Sequence, residues 1–269
     1  MSSRNNNSIV KTSSNSDGIL RITLNNPKNH NALSEEMMLN IQLALDESAA
    51  DKKIRVIIIS AEGPTFSAGH DLKELKAGRK NSDKGKGYFK EVMLKCSKLM
   101  QSIINNPKPV ISEVAGVATA AGCQLVASCD LAYAGESARF ATPGVNIGLF
   151  CSTPMVALSR NVSNKHSMEM LLTGDLISSS KAAEIGLINK MINDNDLQNF
   201  VLERALKISK KSAMTLKIGK EAFYKQIDMT LSEAYDYASN VMVENMLKLD
   251  AEEGIDAFIN KRTPNWQDK

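Results

Sequence analysis

The chain has 269 residues, 43% of them hydrophobic and 23% charged, which suits one sizeable core and excludes a low-complexity or collagen-like protein. A net charge of +3, carried by interspersed lysines rather than a basic face, argues against a nucleic-acid partner, and no apolar run reaches membrane-spanning length. Four cysteines (Cys96, Cys123, Cys129 and Cys151) lack Cys-x-x-Cys spacing and a histidine pattern. Neither zinc nor disulfide stapling is expected, no metal is assigned, and a reducing compartment fits: the cytoplasm, or the mitochondrial matrix if the source is eukaryotic.

Residues 1–17 are polar, rich in Ser and Asn, and have no secretory apolar core, so they read as a disordered tail. Ile19 to Leu24 alternates apolar and polar residues, as a half-buried strand does. Ser34 is placed to cap a helix whose apolar face includes Met37, Met38, Ile41 and Leu45. Ile54 to Ile59 is a β-branched run, expected for a strand covered on both faces. Ala77 to Gly87 is basic and glycine-bearing and reads as a mobile loop, either a lid or a plain surface loop.

Tyr88 to Ile104 follows as a helix, Val110 to Val114 as a strand, and Thr119 to Ala127 as the start of another helix. Leu131 to Ala134 and Ala138 to Phe140 are short strands by pattern. Alternating strands and helices imply an α/β fold with right-handed crossovers. Helices dominate from Asn164 onward, interrupted by a strand at Leu187 to Ile192. The last long helix carries an apolar stripe of Leu231, Ala234, Ala238, Val241, Met242 and Leu249.

Two short segments stand out: Pro64-Thr65-Phe66-Ser67-Ala68-Gly69-His70-Asp71-Leu72 and Ala115-Gly116-Val117-Ala118-Thr119-Ala120-Ala121-Gly122-Cys123-Gln124. Each follows a strand-like run and turns into a helix. A helix start leaves backbone N–H groups without internal partners. Two such turns aimed at one point would supply two donors to an oxygen that becomes negative during reaction, an oxyanion hole.

These segments resemble the crotonase family, also called the enoyl-CoA hydratase/isomerase superfamily. Matching pieces continue through Gly122-Cys123-Gln124-Leu125, Phe140-Ala141-Thr142-Pro143, Asn146-Ile147-Gly148-Leu149 and Leu172-Thr173-Gly174, and together cover Ile19 to Trp266. The resemblance implies a crotonase-like spiral of ββα units over residues 18–200 and a helical C-terminal trimerisation part over residues 201–269. It implies a homotrimer or a dimer of trimers, with Met242 and Met246 suited to a buried subunit contact or to the chain's own core. It also implies an acyl-CoA thioester as substrate and no tightly bound cofactor.

The resemblance assigns the two donor N–H groups to His70 and Ala121. It places His30, Ala32, Ser67, Ala68, Asp71, Leu72, Lys73, Gly122, Pro143 and Leu149 at the binding site, with Lys28 a further phosphate contact. Asp71 reads most simply as a helix cap. The His70 side chain is placed either to transfer protons or to point outward. An alanine at position 121, where the family usually has glycine, would be strained if that position needed a positive φ.

The departures matter as much as the matches. Family members that hydrate carry two glutamates where this chain has Gln124 and Gly144. Adding water needs one group that takes a proton from water and another that delivers a proton to carbon. An amide does neither, and glycine has no side chain. Ser152, flanked by Cys151 and Thr153, falls where other relatives keep a reactive carboxylate. Three functions stay open: an acyl-CoA enzyme with altered chemistry, a non-catalytic acyl-CoA binder, and a decarboxylase- or thioesterase-type relative. Persisting hydratase chemistry would need another carboxylate, with Glu113 and Glu136 the nearest in sequence.

Overall fold

The computed structural model describes residues 8–269. In chain order the elements are β1 (Val10–Ser14), β2 (Ile19–Leu24), α1 (Glu35–Ala50), β3 (Val56–Ala61), β4 (Thr65–Ser67), α2 (Leu72–Gly78) and α3 (Lys86–Asn105). Then come β5 (Val110–Val114), β6 (Val117–Thr119), α4 (Ala121–Ser128), β7 (Leu131–Gly135), β8 (Arg139–Ala141), a 3₁₀ turn (Pro143–Ile147), α5 (Pro154–Leu158) and α6 (Asn164–Thr173). The chain ends with β9 (Ile177–Ser178), α7 (Ser179–Glu184), β10 (Lys190–Ile192), α8 (Leu197–Ser209), α9 (Ala213–Gln226), α10 (Leu231–Met246) and α11 (Leu249–Ile259).

Two sheets organise these elements. One has the order β1-β2-β3-β5-β7-β10 and the other β4-β6-β8-β9. The chain alternates between them: β3 to β4, β5 to β6, β7 to β8, each pair followed by helical chain. This is a ββα spiral, parallel throughout except at β1–β2 and β8–β9. The β3 run explains why the larger sheet is buried on both faces. Ile57 and Ile59 enter the main core with α1, α3 and α4, while Val56 and Ile58 face Leu197, Val201 and Ala205 of α8.

Several expectations change. Val10–Ser14, expected within a disordered tail, is a strand paired antiparallel with β2. Val10 is its one buried residue, so the run lacked an apolar pattern, and backbone pairing supplies what burial does not. Residues 1–7 lie outside the described part. The loop expected over 77–87 shrinks to a turn between Gly78 and Lys86. The Asp83 carboxylate accepts hydrogen bonds from the Gly85 and Gly87 amides there. The boundary expected at 200/201 falls inside α8, which covers the sheet.

The last long helix divides into α10 and α11, and most of its apolar stripe is left uncovered by the described residues. Leu231, Met242 and Met246 are exposed. The C-terminal residues fold back instead on the body, with Trp266 Nε1 donating to the Lys210 carbonyl at 2.9 Å and Asp268 paired with Arg55. No described helix is long and apolar enough to cross a membrane.

Candidate functional site

The first helix-starting turn leaves β4 at Ser67, passes Ala68-Gly69-His70, and enters α2. Asp71 caps α2, its carboxylate accepting the Lys73 amide at 2.8 Å and the Glu74 amide at 3.4 Å. A loop from Asn26 to Leu33 runs alongside. Buried Asn31 anchors it by donating to the Glu62 and Thr65 carbonyls and accepting the Asn26 amide. The His30 carbonyl accepts the Ala68 amide at 3.0 Å, and the Gly69 carbonyl accepts the Leu33 amide at 2.7 Å. These bonds bring His30, Ala32, Ser67, Ala68, His70, Asp71, Leu72 and Lys73 onto one patch. His30, Ala68, Leu72 and Lys73 are exposed on it.

The second turn leaves β6 at Thr119 and enters α4 at Ala121. Ala121 does not take a positive φ; the residue that does is its neighbour Ala120, the N-cap, at φ 50° and ψ −120°. That left-handed conformation costs an alanine about 1–3 kcal/mol. Hydrogen bonds hold it from both sides: the Ala120 amide donates to the Ala141 carbonyl, and the Ala120 carbonyl accepts the Gln124 amide, both at 3.0 Å. Gly122 packs α4 on β4, since a Cβ there would overlap the Ser67 carbonyl.

The two turns touch. A Cβ on Gly69 would stand 2.9 Å from the Ala120 Cβ and 3.0 Å from the Ala121 nitrogen. Covalent geometry then keeps the His70 and Ala121 nitrogens within about 7 Å of each other. Neither amide has an acceptor among the described residues. Two donors to one oxygen would each lie about 3 Å from it, so this spacing admits a shared carbonyl oxygen.

The His70 ring is carried by the first of these turns and lies beside the Leu33 carbonyl. Both its nitrogens are buried and have no hydrogen-bond partner among the described residues. Leaving a buried polar atom unpaired costs about 1–3 kcal/mol, and native proteins keep few such atoms. Burial lowers the His70 pKa below 6.5, opposed by the nearby Leu33 carbonyl, which falls short of hydrogen-bond geometry with the ring. The ring is neutral at pH 7.

Behind the second turn, Gln124 is buried in α4 with its amide oxygen 3.9 Å from Cys96 Sγ. Gln124 lies three residues, about 4.5 Å of helix rise, beyond Ala121. It forms one wall of a cleft of about 1140 Å³ bounded by α3, α4, α5 and α9. The cleft runs along α4 to Asp130, where Lys220 Nζ donates at 2.7 Å and the Tyr224 hydroxyl at 2.9 Å. These two partners stand 90 and 94 residues away in sequence, on α9. Burial raises the Asp130 carboxyl and lowers the Lys220 ammonium, each opposed by the other's charge.

Position 144 is not a glutamate site with its side chain removed. A Cβ on Gly144 would stand 2.8 Å from the Leu149 carbonyl and 2.9 Å from Cys151 Sγ, which accepts the Gly144 amide at 3.3 Å. Cys151 fills that space, its thiol pushed up by burial. Ser152, at the position where other relatives keep a reactive carboxylate, is exposed and donates to the Phe150 carbonyl, while its neighbour Thr153 borders the cleft. Pro143 is half-buried and Leu149 exposed on the same loop, which leaves β8 beside the second turn.

Neither carboxylate nearest in sequence serves this site. Glu113 takes both guanidinium nitrogens of Arg21 at 2.6 and 2.9 Å across the larger sheet, and Glu136 is exposed. Glu74, one turn beyond His70, has its pKa raised by burial and accepts the Glu35 amide at the start of α1.

The family model for enoyl-CoA hydratase/isomerase matches residues 14–269. The chain belongs to the enoyl-CoA hydratase/isomerase family. It is 51% identical over 249 residues to the mitochondrial enoyl-CoA hydratase domain-containing protein 3 of Xenopus laevis, covering 93% of this chain and 83% of that one. The crystal structure of human enoyl coenzyme A hydratase domain-containing protein 3 superposes with a TM-score of 0.91 at 48% identity, covering 96% of this chain and all of that one. An enoyl-CoA hydratase from Mycobacterium smegmatis gives 0.92 at 42% identity, covering 96% and 98%.

Set within this enoyl-CoA hydratase/isomerase family, the site holds residues that sequence reasoning missed. Ala120, Lys220 and Tyr224 each owe their place to contacts distant in sequence, and the packing of Cys151, named beforehand only beside Ser152, against Gly144 is a contact within its own loop. Only Ala120 left a signal, as the residue before a helix start in a run of small residues.

Proposed function

We propose that this protein binds acyl-CoA thioesters and polarises the thioester carbonyl between the His70 and Ala121 amides, without the two-carboxylate hydration of its relatives. The observation that carries this reading is the pair of acceptor-free amides on two turns in van der Waals contact. Prepositioned donors of this kind stabilise an enolate or tetrahedral oxyanion without reorganising during reaction. Hydration lacks its two carboxylates, because Gln124 is an amide and the space beside Gly144 is closed by Cys151.

Gln124 then orients an acyl oxygen or a water, and the cleft along α4 receives the acyl chain. The exposed patch from His30 to Lys73 meets the coenzyme A moiety. A non-catalytic acyl-CoA binder shares this geometry except for the need to transfer a proton. A decarboxylase- or thioesterase-type relative would use the same amides, since departing carbon dioxide itself generates the enolate. The uncovered apolar side of α10, with Met242 and Met246, favours self-association as a trimer or a dimer of trimers. The mitochondrial relatives favour the mitochondrial matrix over the cytoplasm.

Calorimetric titration with butyryl-CoA, alongside loss of conjugated-thioester absorbance with crotonyl-CoA, tests the reading. Saturable binding with no hydration at ordinary enzyme rates supports it. Failure to bind either thioester refutes it.

A further inference from the structure

We propose that the His70 imidazole is the proton-transfer group of this site, removing and returning a proton on the carbon next to the thioester carbonyl. The inference rests on the oxyanion-hole reading above and names the chemistry of that same site. His70 serves it twice: its amide is one of the two donors, and its ring is tethered to that amide by three covalent bonds. A carbonyl oxygen held at the amide therefore puts the adjacent carbon within a few ångströms of the residue that carries the ring.

The ring itself is the second, independent observation. Of the four buried side-chain nitrogen and oxygen atoms without a partner among the described residues, two are the His70 ring nitrogens. Neither ring nitrogen meets hydrogen-bond geometry with any described residue, although the Leu33 carbonyl stands beside the ring. The competing proton carriers fail for stated reasons. Gln124 is an amide, Gly144 has no side chain, and Glu74 is held at the start of α1. The Cys96 and Cys123 thiols are pushed up to about 12 by burial.

The step balances without an added reagent. The bond from the α-carbon to hydrogen breaks, and the proton joins an imidazole nitrogen. The freed electron pair becomes the enolate double bond, and the carbonyl π pair moves onto the thioester oxygen between the His70 and Ala121 N–H groups. Reversal returns a proton to carbon. In deuterated water, exchange at the imidazolium writes deuterium onto the α-carbon. The ring must be neutral to accept the proton, and it is at pH 7, since burial lowers its pKa. None of the charged groups on the flanking helices, Glu35 and Glu36 of α1 or Asp71, Lys73 and Glu74 at α2, contributes to that shift.

The test is α-proton exchange of butyryl-CoA in deuterated water, followed by proton NMR, with binding measured in parallel by calorimetry. The wild-type protein is expected to exchange the α-protons, with a rate that rises with pH through a value below 6.5. His70→Asn keeps the backbone donor and is expected to lose at least about 100-fold in exchange, while binding changes only a few-fold. His70→Gln serves if that variant fails to fold, and added imidazole is expected to restore part of the exchange in His70→Ala. Undiminished exchange in a folded His70 variant overturns the proposal, as does a wild-type protein that binds butyryl-CoA but never exchanges it. A wild-type protein that does not bind the thioester at all overturns the underlying acyl-CoA reading as well.

Discussion

Gly69 and Ala120 meet so closely that a methyl group on Gly69 would stand 2.9 Å from the Ala120 Cβ. The contact locks together two turns that are 51 residues apart in sequence, and both adopt positive φ: 86° at Gly69 and 50° at Ala120. One of the two is glycine and the other is an alanine held under strain. Neither donor amide can move without disturbing the other.

Gly69→Ala is therefore expected to destabilise the protein by about 2–3 kcal/mol through strain and overpacking, and to weaken butyryl-CoA binding as the turns separate. Urea denaturation with calorimetry checks both. A change under about 0.5 kcal/mol would mean the turns have slack.

Restoring the missing glutamates is a sharper test of how the site has changed. The double variant Gln124→Glu/Gly144→Glu is expected to lack hydratase activity. A side chain at 144 would collide with the Leu149 carbonyl and Cys151. Gly144→Ala alone is expected to cost about 1–3 kcal/mol. Crotonyl-CoA hydration by a folded double variant would show that the loop opens to accept the new side chain.

The Asp130–Lys220–Tyr224 cluster pins α9 over the cleft. Lys220 also donates to the Ile103 and Lys108 carbonyls at 2.9 and 3.0 Å. Lys220→Met leaves Asp130 buried without its counter-charge and is expected to cost about 3–5 kcal/mol. Adding Asp130→Asn is expected to recover part of that loss. Denaturant midpoints of the two variants check it, and additive losses would contradict direct coupling.

Much of the fold was legible because it is local. Ser34 does cap α1, accepting the Met37 amide at 3.1 Å, and the β-branched run at β3 is covered on both faces. Asp71 caps α2 as its position before Leu72 implied. Of the second sheet only β8 was legible, because β4 and β6 are three residues each and exist only through pairing with each other and β8. The site divides in the same way. The two helix starts are written in short segments, whereas the closure of position 144 by Cys151 depends on a loop fold that no spacing rule encodes.

Stability should carry the mark of the buried His70 ring. Its folded pKa lies below the ordinary 6.5, so between the two values the unfolded chain binds more protons. Stability therefore rises with pH through that window and is lost as pH falls below 6.5. His70→Asn is expected to flatten this slope in urea midpoints measured from pH 5 to 7.5. An unchanged slope would place the ring in water rather than in the core.

The most direct measurement of the central claim is infrared difference spectroscopy of butyryl-CoA labelled with carbon-13 at the thioester carbonyl. Two charge-polarising donors at His70 and Ala121 predict a carbonyl stretch moved to lower frequency in the bound state. A saturated complex whose carbonyl absorbs as it does in water would contradict the account.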